Sequence, residues 1–469
     1  MNVWNSFGRI GTARIINAVA SFLALIIFAR ILDSHEMGVF FLFLAILGVS
    51  VLFVDFGFSG AVEKRISEGS PPEDILATIA LPKLVLYLLF ISIVFASGSY
   101  INGYVGSNIQ YSLIIGVIAK DIYTIFRRII NGQLRVAETA PLIASEQLGL
   151  LIFGSVGIYF VPTVDVAIYA YIVTLILLSF WSIYIARVNW GNATIANFRS
   201  LLSYAKFEMV SEAGWRVYNW TDVLVIGFFL SQSYVSGYEI AWRLAGVTVL
   251  LGHAARTSFF PLVSSWDSNG QDAKIQTTIE QMLAVSLVLV FPALVGTLVL
   301  SEQILSIVYG SEYAFAGVVF VILVGQKIVQ GVDQVVGYSL RAMNRPRITA
   351  IATLIGASCN ILLNIGLVSL FGITGAAIST LLSYGVMVLI KWYFIDKMIG
   401  VTLPNIISWF MIASVIMGIM IQFIDNMINV SNLTELTLVL TFSALVYGLL
   451  VGIHTDVRNE ISQIINHDI

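Results

Sequence analysis

The stretch Met37–Val54 reads MGVFFLFLAILGVSVLFV, eighteen residues without a charge and with Ser50 as the one hydroxyl. A helix rises about 1.5 Å per residue, so such a run spans roughly 27 Å, close to the hydrocarbon thickness of a bilayer. It is too long and too evenly apolar for a barrel strand, which alternates over about ten residues. Comparable runs recur on both sides of it. The apolar segments fall near 12–31, 39–60, 76–97, 109–130, 141–161, 164–186, 208–230, 237–262, 278–300, 315–340, 348–370, 373–395, 405–424 and 435–453. This pattern predicts an all-α integral membrane protein of about fourteen transmembrane helices.

The composition of the 469-residue chain agrees. Hydrophobic residues make up 58% and charged residues 11%, against about 25% charged in soluble domains. A net charge of −3 excludes a nucleic-acid binder driven by bulk charge. The single cysteine, Cys359, excludes a disulfide scaffold and a cysteine-based metal site.

Lysine and arginine in the loops set the orientation. Counted from the amino end, the even loops hold Lys64 and Arg65; Arg127, Arg128 and Arg135; Arg187, Arg199 and Lys206; Lys274; Arg341, Arg345 and Arg347; and Lys397. The odd loops hold none apart from Arg30 at the end of the first span. Both termini are therefore expected in the cytoplasm, in a multi-pass protein of the cell (cytoplasmic) membrane. The longest cytoplasmic connection, 187–207, separates six spans from the next six. An even number per half makes any repeat parallel. Two short matches favour one: Leu32 to Gly38 with Leu230 to Gly237, and Leu134-Arg135-Val136-Ala137 with Leu340-Arg341-Ala342-Met343. The expected organisation is two six-helix lobes, 1–200 and 201–400, in parallel pseudo-twofold repeat. Two extra transmembrane helices and a cytoplasmic tail follow at 401–469.

Ionisable side chains inside the bilayer are costly and need a partner, water or a function. Arg14 and Asn17 share a face of the first span, and Lys120 adjoins Asp121 in the fourth. Glu208, Glu212, Arg216 and Asn219 form one stripe of the seventh. The eighth carries Glu239 and Arg243 one turn apart, then His253 and Arg256; the tenth carries Lys327 and Asp333. Asn360 and Asn364 face one way on the eleventh. One reading lines a hydrated cavity with these groups, where Arg14, Asn17, Lys120, Arg216, Asn219, Arg243 and Lys327 meet an anionic head group such as a pyrophosphate. Glu212, Asp222 and Asp333 are then candidates to take up a coupling proton or sodium ion. The plainer reading makes internal ion pairs, with Glu212–Arg216 and Glu239–Arg243 in the favourable order at i, i+4. Asp55 reads as a helix-end hydrogen bond, and Pro82-Lys83 and Phe291-Pro292 read as kinks.

No zinc-hydrolase pattern, phosphate loop or nucleophile elbow is present. No cofactor or metal is expected, and no nucleotide-binding domain supplies ATP. The best enzymatic alternative rests on Asp33-Ser34-His35-Glu36 as the metal loop of a membrane glycosyltransferase using lipid-phosphate sugars. The outer loops are short for such an enzyme.

Ala29-Arg30-Ile31-Leu32-Asp33-Ser34-His35-Glu36-Met37-Gly38, then Asp55-Phe56-Gly57 and Glu63-Lys64-Arg65, resemble the opening of the oligosaccharide or polysaccharide flippase family, the Wzx type. Tyr309-Gly310-Ser311-Glu312-Tyr313, Asn344-Arg345-Pro346-Arg347, Asn360 with Asn364, and Phe371 to Thr380 resemble later family segments in order. Asp33-Ser34 departs from the family's Gly-Pro, and Met37 from its aromatic. The resemblance implies the multidrug/oligosaccharidyl-lipid/polysaccharide exporter superfamily and two lobes that open alternately to each side. The implied partners are a lipid-linked oligosaccharide on a polyprenyl phosphate or pyrophosphate carrier (undecaprenol or dolichol), membrane lipid, and glycosyltransferases or a polymerase of the same pathway. It implies a transporter, not an enzyme, serving cell-surface polysaccharide assembly or protein N-glycosylation. A proton- or sodium-coupled multidrug exporter is the alternative within transport.

Overall fold

The computed structural model describes residues 3–454, without the side chains of residues 3–7, 211, 215, 217, 251, 253–258, 260 and 261. His253, Arg256 and the expected tail beyond 454 thus lie outside the described residues. All regular structure among the described residues is helical. Ten helical segments there are long and apolar enough to cross a membrane, and the chain forms two compact units, Met1–Ser236 and Gly237–Ile469.

The first unit runs through α1 (Val3–Ile31), α2 (Ser34–Asp55), α3 (Phe58–Ser67), α4 (Pro72–Val105), α5 (Gln110–Gly132), α6 (Ala140–Gly149), α7 (Ser155–Phe160), α8 (Val164–Ala186) and α9 (Ile195–Phe229). A π turn at Leu150–Gly154 joins α6 to α7. The uncharged run at the outset is the buried centre of this unit. Every residue from Met37 to Phe43 is buried, and α2 packs on α4, α5, α8 and α9. Asp33 starts the helix by accepting the Glu36 N–H at 2.8 Å, which satisfies one of the free donors of the first turn.

Two residues end α2. Phe56 (φ 52°) and Gly57 (φ 74°) are left-handed. A Cβ on Gly57 would lie 2.2 Å from the Ala205 carbonyl oxygen of α9, so the corner and the close approach of α9 both need glycine. Pro82 sits inside α4. The other side of α4 is an exposed apolar face with Leu84, Leu88 and Ile93, suited to lipid rather than water.

The second unit holds most of α10 (Gln232–Val247), then α11 (Leu250–Ser268), α12 (Asp272–Leu287), α13 (Val290–Val308), α14 (Gly317–Ala342), α15 (Pro346–Ile399), α16 (Ile406–Ile428) and α17 (Leu433–Ile453). Its packing is built on α14, which lies against α11, α12, α13 and α15, while α13 meets α16. The 54 residues of α15 are broken at Gly372 (φ 60°, ψ −143°), a conformation open to glycine alone. The sequence places a short loop at Phe371–Gly372, and the break falls there.

Two runs read as single spans are interrupted. The segment 237–262 divides between α10 and α11 at Thr248-Val249, where the amides of Thr248 and Val249 reach back three residues, to Ala245 and Gly246. Adjacent β-branched side chains crowd a helix and favour such a tightened turn. The segment 278–300 divides between Leu287 and Val290, which puts Pro292 in the first turn of α13, where its missing N–H costs little.

The turns after α5 and α14 share one geometry. Leu134 (φ 60°) and Asn344 (φ 55°) are left-handed. Arg135 N–H donates to Ile130 and Arg345 N–H to Leu340, with Leu134 to Asn131 and Asn344 to Arg341 beside them. This is the Schellman closure of a helix end. It matches Leu134 with Asn344, a register four residues away from the sequence pairing of Leu134 with Leu340.

Candidate functional site

In the first unit, two predicted residues converge on α6. Asn17 of α1 donates its amide to the Ile143 carbonyl at 2.7 Å. Lys120 of α5 pairs with Glu146, one turn further along α6, and its ammonium lies 5.4 Å from the centre of the Tyr123 ring. Arg127 stacks on the same ring at 5.7 Å. Arg14 does not join this cluster: its side chain is exposed and makes no hydrogen bond or ion pair among the described residues. Arg9 and Thr12 line a cavity of ≈640 Å3 between α1 and α6. Glu146 escaped the sequence reading, although it is the lone charge in the apolar run 141–161, which is itself a signal.

The stripe on α9 reaches α2. Arg216 donates from Nε to Glu212 at 3.3 Å and from Nη1 to the Gly48 carbonyl at 2.7 Å. A guanidinium has five donors in a planar fork, so these partners leave part of Arg216 able to bind more. Asn219 is exposed and Asp222 is buried further along the helix. A Cβ on Gly48 would touch the Trp220 indole nitrogen at 2.7 Å. Glycine at 48 therefore lets α9 come close enough for its arginine to reach a main-chain oxygen.

The second unit holds the remaining candidates. Arg243 donates from Nε to Glu239 at 2.8 Å. The ammonium of Lys327, buried in α14, sits 3.4 Å from the centre of the Trp242 ring and donates to Gln330 at 2.9 Å. A cation over an indole face is attracted by the ring quadrupole, more strongly when both are out of water. Asp333 meets Lys391 of α15 at 2.7 Å. The i, i+4 pairs at 212/216 and 239/243 both form, so the ion-pair reading describes these residues in this conformation.

Sequence reasoning missed the densest ionic cluster, in which Lys83 of α4 is 4% exposed and Asp121 of α5 is 0% exposed. The Lys83 ammonium lies 2.9 and 3.0 Å from the two oxygens of Asp121 and 3.2 Å from Asp55 Oδ1. Tyr87 donates to Asp121 Oδ2 at 2.7 Å. Asp55 also accepts the Ser59 N–H and contacts the Ser59 hydroxyl, each at 3.0 Å. The helix-end role read for Asp55 is thus present, and an ion cluster is added to it. The acids at the start of α2 are engaged structurally: Asp33 caps α2, and Glu36 accepts the Val164 N–H at 3.4 Å. No group of three or more metal-ligating side chains occurs among the described residues.

Membrane-length helices with ionisable groups held inside their packing define a multi-pass membrane protein with the build of a transporter. A family model described as polysaccharide biosynthesis protein matches residues 3–266, and one described as MatE matches 209–365. The Haloferax volcanii protein named "Probable low-salt glycan biosynthesis flippase Agl15" is 34% identical over 98% of this chain and 97% of its own length. "Probable flippase AglR" of the same organism is 26% identical, covering 97% of each. Among solved structures, the lipid II flippase MurJ in its inward closed conformation superposes with a TM-score of 0.81 at 16% identity, over 96% of this chain and 99% of that one. An inward-facing multidrug resistance MATE family transporter gives 0.66 at 12% identity, over 84% and 98%. These two show the fold. The chain belongs to the polysaccharide biosynthesis protein family, the oligosaccharide and polysaccharide flippases of the multidrug/oligosaccharidyl-lipid/polysaccharide exporter superfamily.

Proposed function

We propose that the protein moves a lipid-linked oligosaccharide, carried on a polyprenyl or dolichyl phosphate or pyrophosphate, from the cytoplasmic to the outer leaflet by alternating access. The observation that carries this reading is the end-to-end similarity, at 34% identity, to a protein named as a flippase of glycan biosynthesis. The chemistry is compatible with it. Phosphate and sugar hydroxyls cannot enter lipid without losing their hydration. Arg14, Asn17, Lys120, Arg216, Asn219, Arg243 and Lys327 would receive them, with arginine suited to bidentate contacts, while the prenyl tail stays in lipid. In this scheme the ion pairs open as the head group replaces the glutamate on each cation. Glu212, Asp222 and Asp333 would exchange a coupling proton or sodium ion.

The accompanying topology has fourteen spans and both termini in the cytoplasm. It takes the ten membrane-length segments, lets α15 cross twice through its break at Gly372, and adds α5, α9 and the α10–α11 stretch. The added helices are the charged ones, bearing Lys120, Arg216 and Arg243. Six spans in 1–200, six in 201–400 and two beyond form the lobes and the appendage. The shared closure of α5 and α14 favours a parallel repeat.

Deleting the gene in its native host tests the function. The expected phenotype is under-glycosylated surface polymer, with lipid-linked oligosaccharide accumulating in the cytoplasmic leaflet. Normal surface glycans together with increased retention of cationic drugs would replace this reading with drug export.

A further inference from the structure

The turns that close α5 and α14 share one backbone geometry but not one charge. Matched on Leu134 and Asn344, residues 131–138 correspond to 341–348. In the first unit Arg135 and Glu138 cancel, and no other ionisable side chain falls in that window. In the second unit Arg341 stands for Asn131, Arg347 for Ala137 and Ile348 for Glu138, so three arginines occur there with no acid. Orienting a loop asks for positive charge but not for the exclusion of acids, which contribute little to it.

The arginines are also used differently. Arg135 turns its fork into the fold: Nε and Nη2 donate to the two oxygens of Glu138 at 2.8 and 2.6 Å, Nη1 to Gln133 at 2.7 Å and Nη2 to the Ile185 carbonyl at 3.0 Å. Arg341, Arg345 and Arg347 are exposed, and none forms a side-chain hydrogen bond or ion pair among the described residues. Arg341 stacks on the Tyr338 ring, 4.3 Å from its centre, which leaves the edge of the guanidinium open. Asp333, which feels the charge of Arg341, is already paired with Lys391.

The turn is anchored by its apolar residues. Ala342 and Met343 are buried in one cluster with Ile275, Ile279, Ile395 and Val401, and Ile348 packs against it. Replacement of an acid by Ile348 therefore both frees the arginines and fixes the turn that carries them, so little ordering is needed on binding. Beyond Arg347, Ile351 and Leu354 follow at i+4 and i+7 on the same face of α15, and Leu362 and Ile365 continue the stripe; all four are exposed. A cationic end above an exposed apolar stripe is the complement of an amphiphile with an anionic head.

We propose that the α14–α15 turn is a docking site for an anionic phospholipid, whose phosphate is held by Arg341, Arg345 and Arg347 while one hydrocarbon chain lies along the stripe of α15. Guanidinium forks match phosphate oxygens bidentately, and the chain covers side chains that gain by leaving water. An acidic protein would match the charges but not the stripe. Phosphate head groups border both faces of a bilayer, so the site depends neither on the orientation of the chain nor on its cargo.

The test places the full-length protein in phosphatidylcholine nanodiscs doped with photoactivatable phosphatidylglycerol, labelled either at the head group or in the chain. Peptide mapping is expected to put head-group crosslinks within 341–350 and chain crosslinks within 351–365. The same labels on phosphatidylcholine are expected to react there at least about fivefold less, as one arginine at an anionic surface already provides that preference. Replacing all three arginines by glutamine is expected to lower the phosphatidylglycerol crosslinks more than about tenfold. Replacing all three by lysine keeps the charge that orients the loop, and its crosslinking is expected to fall between the two. Inorganic phosphate is expected to leave the chain crosslinks in place at matched ionic strength; loss of both crosslinks would reduce the site to a phosphate patch and overturn the lipid assignment. Equal crosslinking by the two lipids, or a glutamine variant that reacts like the wild type, would also overturn it and leave the arginines to topology or to an acidic protein partner. Because no flipping is measured, failure of the flippase reading leaves this result untouched, and the reverse also holds.

Discussion

Each unit joins helices through a buried lysine paired with acid, and the two pairings are built differently. Lys391 in the second unit meets one acid, Asp333, and the sum is neutral. Lys83 in the first unit meets two, Asp55 and Asp121, and the sum is not. A matched pair joins α14 to α15. An unmatched trio joins α2, α4 and α5 and holds one more acid than base.

The largest expected effect comes from removing the cation of the trio. Lys83→Met leaves two acids facing each other, and loss of one partner from a buried ion pair costs about 3–5 kcal/mol. Thermal unfolding in detergent is expected to show a large drop. For the matched pair, either Asp333→Asn or Lys391→Met alone is expected to destabilise by a similar amount, while the double variant returns to within about 1–2 kcal/mol of wild type. A double variant as unstable as the sum of the singles would show that the pair is not an isolated fastener.

Smaller effects sharpen the comparison at the corner beside the trio. Gly57→Ala forces a left-handed alanine against the Ala205 carbonyl and is expected to cost about 1–3 kcal/mol, read as a lower melting temperature. At the far end of α3, exposed Glu68 pairs with Arg65 at 2.8 Å and Lys64 at 3.0 Å. The hydrogen bond from Arg65, then that from Lys64, holds its carboxyl below the usual glutamate value. What it contributes is therefore present at neutral pH and is lost as the solution turns acidic. Glu68→Gln is expected to leave the melting temperature unchanged, since exposed pairs are weak.

Much of the fold is legible in the residues. The run read at 164–186 is α8 to the residue, and the turn read at Phe371–Gly372 is the break in α15. Span-length apolar runs carry this information because lipid forces the backbone to satisfy itself within a helix. Helix ends in water are less constrained: α9 begins at Ile195, inside the segment read as a cytoplasmic connection. The i, i+4 pairs at 212/216 and 239/243 are visible because both partners lie on one helix. Lys83 has no acid at helical spacing, and its partners come from α2 and α5. Nothing local announces them, except that a lone charge in an apolar run needs a partner. The same rule would have flagged Glu146 and Lys391, each the lone charge in its run.

The claim that matters most is that the cations of the membrane helices receive the head group of a lipid-linked glycan. Proteoliposomes carrying a fluorescent prenyl-pyrophosphate oligosaccharide measure it directly. Replacing Arg14, Arg216 and Arg243 together by glutamine is expected to lower the flipping rate by more than about tenfold, since each lost charge-assisted contact is worth more than about 1 kcal/mol. Flipping at the wild-type rate in the folded triple variant would contradict the account.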